Sequence, residues 1–300
     1  MTEIPELKHD FAKYRGDGTT RDGRPAPTPG EPGRYLASTD LVHAVNAALA
    51  VEQPLLVTGE AGTGKTVLAW SIAAELELGE VELFTVRSDH QGRDLLYEID
   101  NLQRFYDAQV NDPAARDRSN YLRFGPLGRA FVSEVRRIVL IDEIDKAPRD
   151  FPNDLLYALD RMELRVPELS LVETARHRPV VVITSNRESQ LPDPFLRRCV
   201  FHHIEFPDRG QLRRILDERL GSLRIAEALC DRIVDRFLEL RRVDGLLKKP
   251  ATSEMLTWAR VLHAADVTDG ELEKDLRDLP YLNALIKTRE DMARVKPSAA

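Results

Sequence analysis

Cysteine is scarce in this chain of 300 residues: Cys199 and Cys230 are the only two, and they form no C-x-x-C pair. A disulfide framework is therefore excluded, and a reducing, cytoplasmic setting is expected. Long apolar runs are missing as well, since none approaches the roughly 18–20 residues that a membrane-spanning helix needs. The start, Met1-Thr2-Glu3-Ile4-Pro5, lacks the basic and apolar regions of a signal peptide. Positive charge is in deficit, with a formal net charge of −7, which argues against a dedicated nucleic-acid surface. Aromatic residues make up 6%, and they form no basic platform for stacking bases. No internal repeat is present. What remains is 42% hydrophobic residues, enough for one large or two smaller cores.

The most informative stretch is Gly59-Glu60-Ala61-Gly62-Thr63-Gly64-Lys65-Thr66, which fits the phosphate-loop pattern G-x-x-x-x-G-K-[ST] in full. The apolar run Leu55-Leu56-Val57-Thr58 before it suits a buried parallel strand. Val67, Leu68, Ile72 and Leu76 after it recur at helical spacing. Strand, glycine turn and helix in that order present backbone N–H groups and a helix N-terminus to phosphate oxygens. Lys65 is expected to reach the β- and γ-phosphates of a nucleoside triphosphate, and the Thr66 hydroxyl to bind Mg²⁺.

Two further buried strands follow. Ile138-Val139-Leu140-Ile141 ends in Asp142-Glu143, and open α/β sheets bind ligands beyond the carboxyl ends of their strands. Asp142 is expected to hold Mg²⁺, and Glu143 to polarise an attacking water as general base. Val180-Val181-Val182-Ile183-Thr184 ends at Ser185-Asn186. Asn186 suits a hydrogen bond to the γ-phosphate, with a helix N-cap or an Asx-turn as the alternative. Cys199, His202 and His203 lie close in sequence, but the usual zinc-ligand spacings are absent. They are expected on a strand from Val200 to Phe206, where alternate side chains face opposite ways.

The layout is α/β first and helical afterwards. Residues 1–34 read as a flexible arm, because 16–34 are rich in Gly, Pro, Arg and Asp. Residues 35–207 form the nucleotide-binding core, in which Thr39 caps a helix and 81–86 make another strand. Ser88 to Ser119 has helical apolar spacing in parts, at Leu95, Leu96, Ile99 and Leu102, and ordinary packing is the preferred role for Leu95 and Leu96. Residues 164–174 alternate like a hairpin. Residues 208–300 form a helical domain that opens with a cap at Asp208 and Gln211. Its stripes run through Leu212 to Leu220, Ile225 to Leu240 and Met255 to Leu262, with a fourth suggested by Leu272, Leu276 and Leu279.

The series Gly59 to Thr66, Ile141-Asp142-Glu143, Thr184-Ser185-Asn186 and Phe195-Leu196-Arg197-Arg198 resembles an AAA+ ATPase. Leu122-Arg123-Phe124-Gly125-Pro126-Leu127, Leu155 to Glu163 and Leu191 to Arg198 resemble its MoxR branch. The likeness spans roughly residues 35–290. It implies a phosphate-loop NTPase sheet flanked by helices, followed by a small all-helical lid. ATP and Mg²⁺ are the implied cofactors, with Tyr35 near the adenine pocket. Arg198, or in second place Arg197, is the implied arginine finger serving a neighbouring subunit of a ring, a hexamer by analogy. Ser88–Ser119 and Leu164–Thr174 resemble the helix-2 and pre-sensor-1 insertions. The family further implies remodelling or maturation of a protein client, often through a separate von Willebrand factor A domain protein, since nothing after the lid is expected to hold such a domain. A nucleic-acid-directed motor and a nucleotide-dependent scaffold or switch in a larger defence or assembly complex are the competing readings. One departure stands out. Glu254 falls where the family's sensor 2 arginine is expected, so sensor 2 stays unassigned, with Lys248, Lys249, Arg260 or a contact from another subunit as alternatives and Thr252 or Ser253 as a helix N-cap.

Overall fold

The computed structural model describes residues 13–24, 35–186 and 191–296. The polypeptide divides into an α/β unit and a helical unit, each with a core of its own.

The α/β unit opens with α1 (Thr39–Val51), β1 (Leu55–Gly59), α2 (Lys65–Glu75) and β2 (Val81–Thr85). Next come β3 (Tyr97–Ile99), α3 (Asn101–Gln109), β4 (Leu122–Phe124), α4 (Pro126–Val132) and β5 (Ile138–Asp142). It closes with α5 (Phe151–Arg161), β6 (Glu163–Val166), β7 (Leu171–Thr174), β8 (Val180–Ser185), α6 (Asp193–Leu196) and β9 (Val200–Ile204). Five parallel strands form one sheet in the order β2-β5-β8-β1-β9. The three middle strands are the ones whose sequences run apolar without a break, because both of their faces are covered. Alternation then sorts the side chains into two layers. Leu56, Val139, Ile141, Val181 and Ile183 pack with Phe131, Phe151 and Leu155. Leu55, Val57, Leu140 and Val182 pack with Leu41 and Val45 of α1 and Leu68 and Ile72 of α2. Strands β6 and β7 pair as the expected hairpin.

Three expectations about this unit need correction. Ser38, not Thr39, caps α1: its hydroxyl accepts from the Leu41 N–H at 3.2 Å, and Thr39 is the first helical residue. Residues 88–119 are only partly helical. A 3₁₀ turn holds Leu95, Ile99 lies in β3, which pairs antiparallel with β4, and Leu102 lies in the first turn of α3. Leu95 is core, as expected of ordinary packing, and Leu102 is 66% exposed. The arm, finally, is not free of the core throughout. Tyr14 is buried, its hydroxyl 2.9 Å from Ser71 Oγ of α2 and its backbone paired with the Asn46 amide of α1. Burial drives the Tyr14 phenol far above its ordinary pKa, against the pull of the Ser71 bond. The Arg15 and Gly16 N–H groups both donate to the buried Glu75 carboxylate. Residues 1–12 and 25–34 of the arm lie outside the described residues.

The helical unit contains α7 (Arg209–Leu220), α8 (Glu227–Arg241), α9 (Thr252–Ala264) and α10 (Arg289–Val295). Its core gathers Leu212, Leu216, Ile233, Phe237, Met255 and Leu262 around the fully buried Trp258, whose indole N–H donates to the Pro280 carbonyl at 2.9 Å. The start of α7 is capped reciprocally by Asp208 and Gln211, as the sequence pattern anticipates. Two details differ from expectation. Leu272, Leu276 and Leu279 do not share an α-helix. Short 3₁₀ turns over Asp269–Glu273 and Leu276–Asp278 carry this stretch, because Glu271 and Asp275 bond nearby backbone N–H groups and offer an alternative to the helical ladder. Neither Thr252 nor Ser253 is the N-cap of α9. Ala251 occupies that position, and the Glu254 carboxylate reaches back to its N–H at 3.0 Å. Glu254 thus supplies half of a capping box. Among the described residues no helix is long and apolar enough to cross a membrane.

Candidate nucleotide site

The phosphate loop begins where β1 ends. Gly59, Gly62 and Gly64 all have positive φ (146°, 78° and 89°), conformations that side chains resist. Thr63 steadies the turn by donating its hydroxyl to the Glu60 carbonyl at 2.9 Å, and Ala61 lies between these two. Lys65 opens α2, and its ammonium curls back to the Gly59 carbonyl at 2.8 Å. Thr66 follows, with its hydroxyl 3.0 Å from Asp142 Oδ1 at the end of β5.

The parallel register explains why these groups meet. Ile138 pairs with Val180 and Ile141 with Ile183, so continuing the register sets Asp142 beside Thr184, on the same face. The Thr184 hydroxyl donates to Asp142 Oδ1 at 2.6 Å and accepts from the Glu143 N–H at 2.9 Å. Glu143 is left-handed (φ 60°, ψ 48°) and starts the 3₁₀ turn Ile144–Lys146. Residues three apart eclipse one another in such a turn, and Lys146 Nζ accordingly lies 2.5 Å from Glu143 Oε2. That bond holds the Lys146 ammonium above its ordinary pKa. Both partners are substantially exposed, so the pair adds little to stability.

Lys65, Thr66, Asp142 and Glu143 therefore cluster. Asn186 is exposed, and its backbone N–H donates to Asp145 Oδ1 at 3.0 Å, as Ser185 Oγ does at 3.2 Å. Arg197 and Arg198 are exposed at the turn after α6, and Arg198 lies 3.7 Å from Asp160. Neither arginine hydrogen-bonds to the cluster around Asp142. His203 and Thr58 form a cross-strand pair, Nδ1 to Oγ1 at 2.9 Å. Burial lowers the pKa of His202, and it pushes the Cys199 thiol up to about 12. The roles of Thr184 and Lys146 escaped the sequence reading. Strand register would have found the first, and the three-residue spacing of opposite charges Glu143 and Lys146 the second.

The donor set fits a hard cation. A hydroxyl and a carboxylate oxygen 3.0 Å apart match the few protein oxygens that Mg²⁺ takes alongside phosphate and water.

Residues 54–199 match the family model described as "AAA domain (dynein-related subfamily)", and members of this family are nucleotide-binding domains, typically ATPases. No curated protein matches the chain. Among solved structures, the chain is similar to a mutant of Thermotoga maritima RuvB at 16% identity, over 76% of this chain and 69% of that one, with a TM-score of 0.42. It is also similar to the FIGL-1 AAA domain in complex with ADP, at 17% identity over 81% of this chain and 70% of the other, with the same TM-score of 0.42.

Proposed function

We propose that this chain is an AAA+ ATPase of the MoxR type, which hydrolyses ATP between subunits of a ring and uses the energy to remodel or mature a protein client. In this reading residues 35–207 bind the nucleotide and residues 208–300 form the lid. The single observation carrying the reading is the meeting of the Thr66 hydroxyl and the Asp142 carboxylate, directly after Lys65, whose ammonium bonds the Gly59 carbonyl. Glycine backbone N–H groups and the α2 N-terminus would cradle the phosphates, and Lys65 would leave the Gly59 carbonyl for the β- and γ-oxygens. Thr66 and Asp142 would hold Mg²⁺, which when bound neutralises charge developing on the phosphates. Glu143 would take a proton from water, Asn186 would orient that water, and Arg198 or Arg197 would reach a neighbour's γ-phosphate. The von Willebrand factor A partner and the maturation task rest on the motif resemblance alone.

The test is steady-state turnover with Mg²⁺–ATP. Glu143→Gln is expected to lower kcat by roughly 10²-fold or more, the scale of a positioned general base, while a fluorescent ATP analogue still binds. Equal turnover in both proteins overturns the mechanism.

A further inference from the structure

A hydroxyl is an expensive group to bury at the end of an otherwise apolar strand unless its hydrogen and a lone pair are both used. Thr184 is 1% exposed and follows Val180-Val181-Val182-Ile183. Both of its capacities are used on the same pair of residues: it donates to the Asp142 carboxylate and accepts from the Glu143 backbone. Asp142 Oδ1 in turn receives the Thr66 hydroxyl, so one carboxylate oxygen sits between two threonines, one from α2 and one from β8. Glu143 meanwhile keeps a left-handed backbone without being glycine, a conformation that persists only where its surroundings hold it.

We infer that Thr184 is the positioning residue of the acidic pair, aiming Asp142 at Thr66 with its hydrogen and locking the left-handed turn of Glu143 with its lone pair. Thr184 reaches no reacting atom; it acts through its two neighbours. The inference deepens the hydrolase reading and rests on it for the link to turnover. It also has a consequence that reading does not share, namely protection of one backbone amide in the nucleotide-free protein.

The experiment compares Thr184→Val with Thr184→Ser. Valine keeps the β-branched shape that suits a strand and removes the hydroxyl; serine restores the hydroxyl. Two quantities are read: kcat and KM for Mg²⁺–ATP, and hydrogen exchange of the Glu143 amide without nucleotide. Thr184→Val is expected to lower kcat about ten- to hundredfold with KM within about twofold, as when a contact to a charged group is lost from the transition state. Its Glu143 amide should exchange at least about tenfold faster, and Thr184→Ser should recover both properties. Wild-type kcat in Thr184→Val overturns the positioning role, and an equally protected amide overturns the clasp itself. If Glu143→Gln abolishes turnover while Thr184→Val leaves it intact, this inference alone fails. If the wild-type protein does not hydrolyse ATP, the hydrolase reading fails, and amide exchange still decides the clasp.

Discussion

Tyr14 shows how much a single residue can contribute at the edge of a polar stretch. The ten residues after it, Arg15 to Arg24, carry no large apolar side chain that would continue a stripe. Yet it fills the space beside α1 and α2 and bonds Ser71 and Asn46. Truncation to alanine leaves a cavity and two helices less firmly joined. Tyr14→Ala should cost about 3–5 kcal/mol of stability, the range for a buried aromatic, as read from urea unfolding. A loss below about 1 kcal/mol would mean that the segment contributes little in solution. The phosphate loop is the opposite case. Gly59 to Thr66 was legible because its chemistry is contiguous. Thr184 was not, because a residue's neighbour across a sheet depends on register, and register is a property of two strands at once.

At the scale of the element, legibility followed the strength of local signals. Helix α7 combines a reciprocal cap with Leu212, Leu216 and Leu220 on one face, and both signals predict the same start and the same buried side. Asp208→Ala should therefore destabilise the helical unit by roughly 1 kcal/mol, as loss of an N-cap does, with Asp208→Asn close to wild type. Equal unfolding midpoints for Asp208→Ala and wild type would remove the cap from the account. The stretch from Leu272 to Leu279 carried apolar spacing without such agreement. Its acidic side chains bond nearby backbone N–H groups, and the leucines divide between two short turns, Leu272 in the first and Leu276 and Leu279 at the second. The start of α9 misled for a related reason. Thr252 and Ser253 are good capping residues, yet a carboxylate three residues beyond Ala251 reaches back to the end of the helix first.

For the whole molecule, acid is the informative perturbation. Asp291 is fully buried in the helical unit, where its carboxylate accepts the N–H groups of Leu247 at 2.7 Å and Lys248 at 3.1 Å. Burial acts to raise its pKa but is outweighed by the Leu247 N–H, the Thr288 hydroxyl and the Lys248 N–H, so the carboxyl titrates below its ordinary value. A depressed native value means that the unfolded chain takes up the proton first. The stabilisation is complete above the ordinary carboxylate range and fades as pH falls through it to the native value. Melting followed by circular dichroism from neutral pH to about pH 3 should show this loss in the wild type. Asp291→Asn should start less stable and fall less steeply. Parallel curves would show that another carboxylate governs the acid limb. The sequence marks a change after Pro207, where unbroken apolar runs give way to helical stripes. The tie from residue 291 back to residues 247 and 248 has no such mark, since it joins segments far apart in the chain.

Strand β8 runs through the middle of the parallel sheet, flanked by β5 and β1. A one-residue insertion upstream that let it slide by a single step would leave most of its valines and isoleucine as comfortable as before, since both faces are greasy. The same slide would present isoleucine where threonine now stands, leaving the Asp142 carboxylate and the Glu143 N–H without their shared hydroxyl. On the proposed mechanism, slippage would therefore disconnect the acidic pair while most of the sheet's apolar packing stayed in place.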